Sequence, residues 1–165
     1  MATNAKTGEA KYFDKNDLHQ DDYSVLKASS SIPFVCHPYE VCGIPYYDGA
    51  LGDTVPIEKA FELGCDKVVL ILTKPKDVRR TPKKDKLLAS RIQRKYPLAA
   101  EKLRCRADQY NQGITLAKEY EKSGQVLIIA PNDTCGVDTL TKDQDALKLF
   151  YDKGYQDAKA IEAFL

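Results

Sequence analysis

Long apolar runs are missing from this sequence. The longest, from Val68 to Leu72, is only as long as a β-strand, whereas a helix that spans a bilayer needs about 20 apolar residues. The first residues, from Met1 to Lys6, have no apolar segment, and no signal peptide is predicted. These absences predict a protein that neither crosses a membrane nor is secreted.

Close cysteine pairs are missing as well. The five cysteines are an odd number, and no two of them have C-x-x-C spacing. Disulfide frameworks and zinc sites usually show even counts or close pairs. Free thiols in a cytoplasmic protein are therefore predicted, with no metal and no cofactor. The two histidines, His19 and His37, lie in no recognisable catalytic setting and are interpreted as surface or structural residues.

An excess of charge of one sign is also absent. The chain has 25 basic and 24 acidic side chains, giving a net charge of +1. A protein dedicated to nucleic acids is normally strongly basic, so no nucleic-acid partner is predicted. The composition, 43% hydrophobic and 30% charged, is typical of a globular domain.

Turn residues and hydrophobic periodicity predict an α/β fold with a mostly parallel sheet flanked by helices. A single domain is predicted over residues 1–165, with one part at 1–73 and a helical part with one strand at 74–165. The predicted elements are a hairpin at 1–13, helices at 23–28, 55–63 and 85–96, a long helix from Pro97 to Gly124, and strands at 67–73 and 125–131. A last helix is predicted to open with a Thr141/Gln144 capping box and to be broken or bent at Gly154.

Asp48 is the residue whose position suggests a catalytic role. It ends a predicted strand and is followed by Gly49, Ala50 and, two residues later, Gly52. Glycine lets backbone approach closely, and strand ends in α/β sheets are where sites are built. A turn is also the commonest use of an Asp-Gly pair, so from the dipeptide alone a plain turn is the favoured interpretation.

The order of elements around Asp48 resembles the second half of the patatin-like phospholipases. The shared features are a small-residue segment ending at Pro33, a strand, the Asp48-Gly49-Ala50 motif, and a helix begun by Pro56. This resemblance implies a bacterial serine acyl hydrolase of lipid metabolism that uses a Ser–Asp dyad. It implies Asp48 as the base, supported by Gly49, Ala50 and Gly52, and a lipid or other acyl-ester substrate.

The nucleophile of such an enzyme is missing. No G-x-S-x-G elbow and no glycine-rich oxyanion loop occur in the sequence. The serine run Ser29-Ser30-Ser31 is interpreted as small packing residues. The chain is therefore expected to be the C-terminal portion of an acyl hydrolase, inactive alone, whose missing half could come from another chain. The alternative is a non-catalytic α/β binding or scaffolding module.

Two kinds of contact are also predicted. The basic stretch from Lys74 to Lys86 could touch anionic lipid head groups at a membrane surface, although such a stretch is more often solvated and Asp77 and Asp85 dilute its charge. An incomplete sheet would leave an open edge, which predicts self-association.

Overall fold

The computed structural model describes residues 1–138 and 140–165. The chain forms two compact units. Unit 1 comprises residues 1–55 and 80–112, and unit 2 comprises residues 56–79 and 113–165. The strands are β1 Ala2–Asn4, β2 Ala10–Lys11, β3 Tyr39–Val41, β4 Ile44–Asp48, β5 Val68–Ile71 and β6 Val126–Ile129, and the helices are α1 Ser24–Ser29, α2 Ile57–Glu62, α3 Lys83–Ile92, α4 Pro97–Lys122, α5 Gln144–Asp157 and α6 Ala160–Phe164.

The sheet of unit 1 has four strands in the order β2-β1-β4-β3, and every pairing is antiparallel. β1 and β2 form the predicted N-terminal hairpin. β3 and β4 are joined by a two-residue turn at Cys42 and Gly43, both with positive φ, as tight hairpin turns require. β4 is thus a central strand, with Asp48 as its last residue.

Small residues let helices pack closely in unit 1. Ala89 of α3 and Ala99 and Ala100 of α4 are fully buried and share a core with Tyr47 and Leu103. The same unit contains a buried ion pair, in which Arg106 donates two hydrogen bonds to Asp85 at 2.6 and 3.1 Å. Both hydrogen bonds end on the two oxygens of one carboxylate, which is almost fully buried. This is the bidentate geometry that arginine favours.

Unit 2 is built on a two-stranded parallel sheet of β5 and β6. The four β6 residues are almost all buried, whereas β5 is half-exposed and Ile71 is 67% exposed. Phe61 of α2 packs on Tyr120 of α4, with ring centroids 4.9 Å apart. No residue of α5 or α6 is buried.

The fold class is therefore α/β, but the sheet is not mostly parallel. Among the described residues, β5 and β6 pair in parallel, and the other four strands pair antiparallel. The prediction was wrong on this point because the antiparallel strands, two to five residues long, carry too few side chains for period-two alternation to show. The single-domain organisation, divided at residue 73, stays a prediction.

Two finer predictions were also corrected. The capping box at Thr141 and Gln144 does not form: Asp143 caps α5 by accepting from the N–H groups of Asp145 and Ala146. α5 continues past Gly154 to Asp157, so the helix is not broken at Gly154. Within the described residues, no helix is long and apolar enough to cross a bilayer.

Candidate functional site

Asp48 is held at the end of β4 by backbone contacts on both sides. Its N–H donates to the carbonyl of Ser31 at 2.8 Å. In the antiparallel register of β1 and β4, Asp48 lies opposite Ala2. A short 3-10 turn, Gly49–Leu51, follows directly. The prediction that Asp48 ends a strand is confirmed, and the strand end is a central position of the sheet.

The carboxylate of Asp48 has one anchored oxygen. Oδ1 accepts a hydrogen bond from the N–H of Ala50 at 2.8 Å and so caps the 3-10 turn. Across residues 1–138 and 140–165, no hydrogen bond is recorded to the second oxygen, Oδ2. The residue is half-exposed. One oxygen therefore sets the orientation of the side chain, while the other can accept a proton.

Thr3 of β1 ties the turn after Asp48 to the sheet. Its buried hydroxyl lies 2.8 Å from the carbonyl oxygen of Asp48 and 3.2 Å from that of Gly49, and it accepts from the N–H of Gly52 at 2.8 Å. Sequence reasoning missed Thr3, because nothing local marks a threonine whose partners lie more than 40 residues away. Only the β1–β4 register brings these groups together.

Gly49 and Gly52 are needed for close approach of the backbone. A Cβ atom on Gly49 would lie 2.7 Å from the carbonyl oxygen of Met1, and one on Gly52 would lie 2.9 Å from the backbone nitrogen of Ala10. Both distances are too short for non-bonded atoms. The two glycines thus let the loop after Asp48 lie directly against β1 and β2, whereas Ala50 is half-exposed.

The serine run contributes a backbone group to this site. Ser31 is buried, and its Oγ donates to the carbonyl of Lys27 at 2.8 Å, one turn back in the chain. The carbonyl oxygen of Ser31 accepts a hydrogen bond from the N–H of Asp48. The hydroxyl of Ser31 is therefore engaged at the end of α1, which supports its interpretation as a packing residue, whereas Ser30 is exposed.

Tyr46 and Tyr47, which precede Asp48, are both buried. Their side chains are 5% and 3% exposed, although successive residues of a strand point to opposite faces of the sheet. Both faces of β4 are covered: Tyr46 packs edge-on against Phe13, and Tyr47 against Tyr96. Burial raises the pKa of both phenol groups above the ordinary value of 10.0.

Two lysines of the basic stretch from Lys74 to Lys86 are partly neutralised by carboxylates. In unit 2, Lys76 contacts Glu121 at 3.0 Å and Lys74 lies 3.7 Å from Asp138. In unit 1, the guanidinium of Arg80 keeps its charge but stacks on the ring of Tyr110 at 3.6 Å. The two carboxylates reduce the charge available to a lipid surface, and peripheral membrane contact stays a prediction.

Two surface clefts accompany these features, and Asp48 lines neither of them. One, of about 280 Å³, lies in unit 1 beside Glu101, Lys102 and Gln109, and the other, of about 310 Å³, lies in unit 2 beside Lys76 and Asn132. Among the described residues, no three His, Cys, Asp or Glu side chains converge as metal ligands.

The comparisons with known proteins correct the resemblance stated above. No protein of curated function matches the sequence. The patatin-like identification is wrong on this evidence, and its physical weakness is that an Asp-Gly pair after a strand is common wherever a chain turns. The family model that matches covers residues 96–163, and the chain is similar there to a family described as Domain of unknown function (DUF6363).

Proposed function

We propose that Asp48 is the proton-accepting base of an acyl-ester hydrolase site whose attacking hydroxyl comes from another polypeptide segment. The supporting observation is the geometry of its carboxylate: Oδ1 is oriented by the N–H of Ala50, and Oδ2 has no recorded hydrogen bond in the described residues. A base must be held in place and still have an oxygen available for the proton.

Rigid support around Asp48 favours this role. Its N–H is bonded to Ser31, its carbonyl oxygen to Thr3, and Gly49 is packed against Met1. Catalytic groups are effective when neighbouring contacts hold their geometry. In the proposed reaction, Asp48 takes the proton of a serine hydroxyl while the oxygen attacks the ester carbonyl. The acid so formed at Asp48 then protonates the departing alkoxide.

The substitution Asp48→Asn tests this role with little disturbance of the fold. Asparagine keeps an Oδ1 acceptor for the Ala50 N–H but cannot take up a proton. Hydrolysis of p-nitrophenyl esters would be measured for this chain and for the complete product of its gene. We expect no turnover by this chain, and a fall in kcat of about 10²- to 10⁴-fold in the complete product.

Asp14→Asn is the matched control. Asp14 also uses Oδ1 to accept from the N–H two residues on, that of Asn16, at 2.7 Å, and it is exposed. The control should leave kcat unchanged. Activity that survives Asp48→Asn in the complete product would show that Asp48 is not the base. Turnover by this chain alone that Asp48→Asn abolishes would place the hydroxyl within this chain.

A second candidate, a binding module, is favoured by the surface of α5. Leu147, Tyr151 and Tyr155 are spaced by four residues, so they form one apolar ridge on the helix, and they are 41%, 69% and 64% exposed. Exposed apolar surface of this kind often marks a protein contact. A photo-crosslinking residue at Tyr151 should then capture one discrete partner in cells, whereas the same residue at exposed Lys15 should not. Equal labelling at both positions would contradict this role.

A further inference from the structure

Charge is distributed unevenly along this chain, although the total is close to neutral. Residues 80–95 carry seven basic side chains and one acidic side chain, which gives this segment a net charge of +6. Because the whole chain has a net charge of +1, the remaining residues have a net charge of −5. Such asymmetry is typical of a protein that contacts an anionic surface or a polyanion.

The one acidic residue of this segment, Asp85, does not offset the charge at the surface. Its side chain is 8% exposed and accepts both hydrogen bonds from Arg106. The cations around it are exposed, and in the described part of the chain no ion pair is recorded for them. These cations, which we call the basic surface, are Lys83, Lys84 and Lys86 at the start of α3, Arg91 near its end, and Arg94 and Lys95 just after it.

The lysines at the start of α3 do not favour the helix that carries them. Lys83, Lys84 and Lys86 lie in its first turn, where the helix dipole favours negative charge. Asp85, the acid of that turn, is engaged by Arg106, and among the described residues no side chain caps this end. Local choices that oppose the fold are expected at functional positions. The physical reason for these lysines is therefore not the stability of α3.

Leu87 gives the basic surface an apolar centre. It is 61% exposed, and Lys83, Lys84 and Arg91 lie three or four residues away, so they surround it on the helix. The opposite side of α3 packs in the core of unit 1 through Ala89. A helix of this kind suits a membrane surface, because the cations attract anionic head groups while the apolar side chain reaches the edge of the acyl chains. A nucleic acid would also attract the cations, but its phosphates offer a leucine no apolar environment.

We propose that unit 1 binds the surface of an anionic phospholipid bilayer through the basic surface of α3, with Leu87 inserted among the head groups. The site lies on the helix and not on the loop before it, where Lys74 and Lys76 have carboxylate partners. It is independent of the role of Asp48 and of the ridge on α5.

Sedimentation of the full chain with lipid vesicles tests the contact. We expect binding to vesicles made of equal parts phosphatidylserine and phosphatidylcholine, and no binding to vesicles of phosphatidylcholine alone. Binding should weaken as sodium chloride is added, since salt screens exposed charges.

The double variant Lys83→Gln/Lys84→Gln tests the position of the surface. It should weaken binding to the anionic vesicles by about 20- to 30-fold, since each basic residue near such a surface contributes about fivefold. Circular dichroism should show unchanged helix content, because positive charge is removed from a helix N-terminus. Lys6→Gln/Lys15→Gln is the matched control: both lysines are exposed in unit 1 and outside α3, and this variant should bind like the wild type.

Leu87→Gln separates a lipid surface from a nucleic acid. It leaves the charge unchanged and removes the apolar centre, so it should weaken vesicle binding by about three- to tenfold. The wild type and this variant would also be titrated with duplex RNA at the same salt concentration. We expect RNA to compete poorly with the anionic vesicles.

Three results would overturn the proposal. One is equal binding of the wild type to anionic and to neutral vesicles, or binding to neither. Another is a Lys83→Gln/Lys84→Gln variant that binds as tightly as its matched control, which would place the contact elsewhere. The third is RNA that displaces the vesicles together with a Leu87→Gln variant that binds like the wild type, which would make a nucleic acid the partner.

Discussion

Thr3 has one hydroxyl group for three backbone partners around Asp48. It accepts from Gly52 and faces the carbonyl oxygens of Asp48 and Gly49. Thr3→Val keeps the shape but removes the hydroxyl, leaving buried polar groups without a partner. We expect a loss of about 1–3 kcal/mol of unfolding free energy, measured by urea denaturation. Thr3→Ser, which keeps the hydroxyl, should lose less; equal losses would contradict the role of the hydrogen bonds.

Tyr47 makes the free energy of unfolding depend on pH in the alkaline range. Burial raises its pKa above 10.0, with Tyr96 adding to the effect. The neutral phenol is therefore favoured more in the folded state than in the unfolded chain. This stability is fully present below the ordinary pKa and is lost as the pH rises through the raised one.

Tyr47→Phe should therefore flatten the loss of unfolding free energy above the ordinary tyrosine pKa, as measured by urea denaturation at a series of pH values. Tyr23→Phe is the control, because Tyr23 is 57% exposed. The tyrosinate absorbance of the wild type should also develop in two stages, with the buried phenols ionising last. Identical pH profiles for the Tyr47→Phe variant and the wild type would contradict this expectation.

Among the elements, α5 depends on its N-terminal cap, because it buries no residue of its own. Asp143 accepts from the N–H groups of Asp145 and Ala146 at 3.0 and 3.1 Å. Asp143→Ala should cost about 1 kcal/mol, whereas Asp143→Asn retains the acceptor and should cost little. Circular dichroism would follow the helix content during urea denaturation. Thr141→Ala should not fray α5 if Asp143 is the cap.

The sequence predicted the existence of most elements better than it predicted their ends. α4 was found from apolar positions such as Ala99, Leu103 and Ala107, which recur every three or four residues and are buried. The cap of α5 was misassigned because the Thr141 hydroxyl instead accepts from the N–H of Asp138. Gly154 was expected to break or bend the helix, but a glycine inside a helix costs only about 1 kcal/mol, and the helix continues through it to Asp157.

β3 and its turn show what local patterns leave out. The strand has three residues, Tyr39–Val41, and the turn after it places Cys42 at a φ of 50°. Sequence signals for such turns are Asn-Gly or Asp-Gly pairs, and cysteine is not among them. The position of Asp48 at a strand end could be predicted, whereas the Thr3 and Ser31 contacts could not, since they depend on strand register.

At the scale of the whole molecule, the direction of strand pairing was predicted wrongly. Strand, helix and strand in succession indicated a parallel sheet, and among the described strands this arrangement holds for β5 and β6. The antiparallel sheet of unit 1 instead brings together β1 and β4, which are separated by about 40 residues of chain. Pairing over that distance is decided by burial of both faces of β4, which no short window of sequence reports.

The left-handed turn residue Cys42 offers a practical route to labelling. Its thiol is exposed, and its backbone adopts a conformation that asparagine or glycine tolerates better. Cys42→Asn should therefore be neutral or stabilising while removing one reactive sulfur. Conversely, with the other four cysteines changed to serine, a fluorophore on Cys42 would sit at the tip of the β3–β4 hairpin. Its anisotropy would then report opening of the strand that carries Asp48.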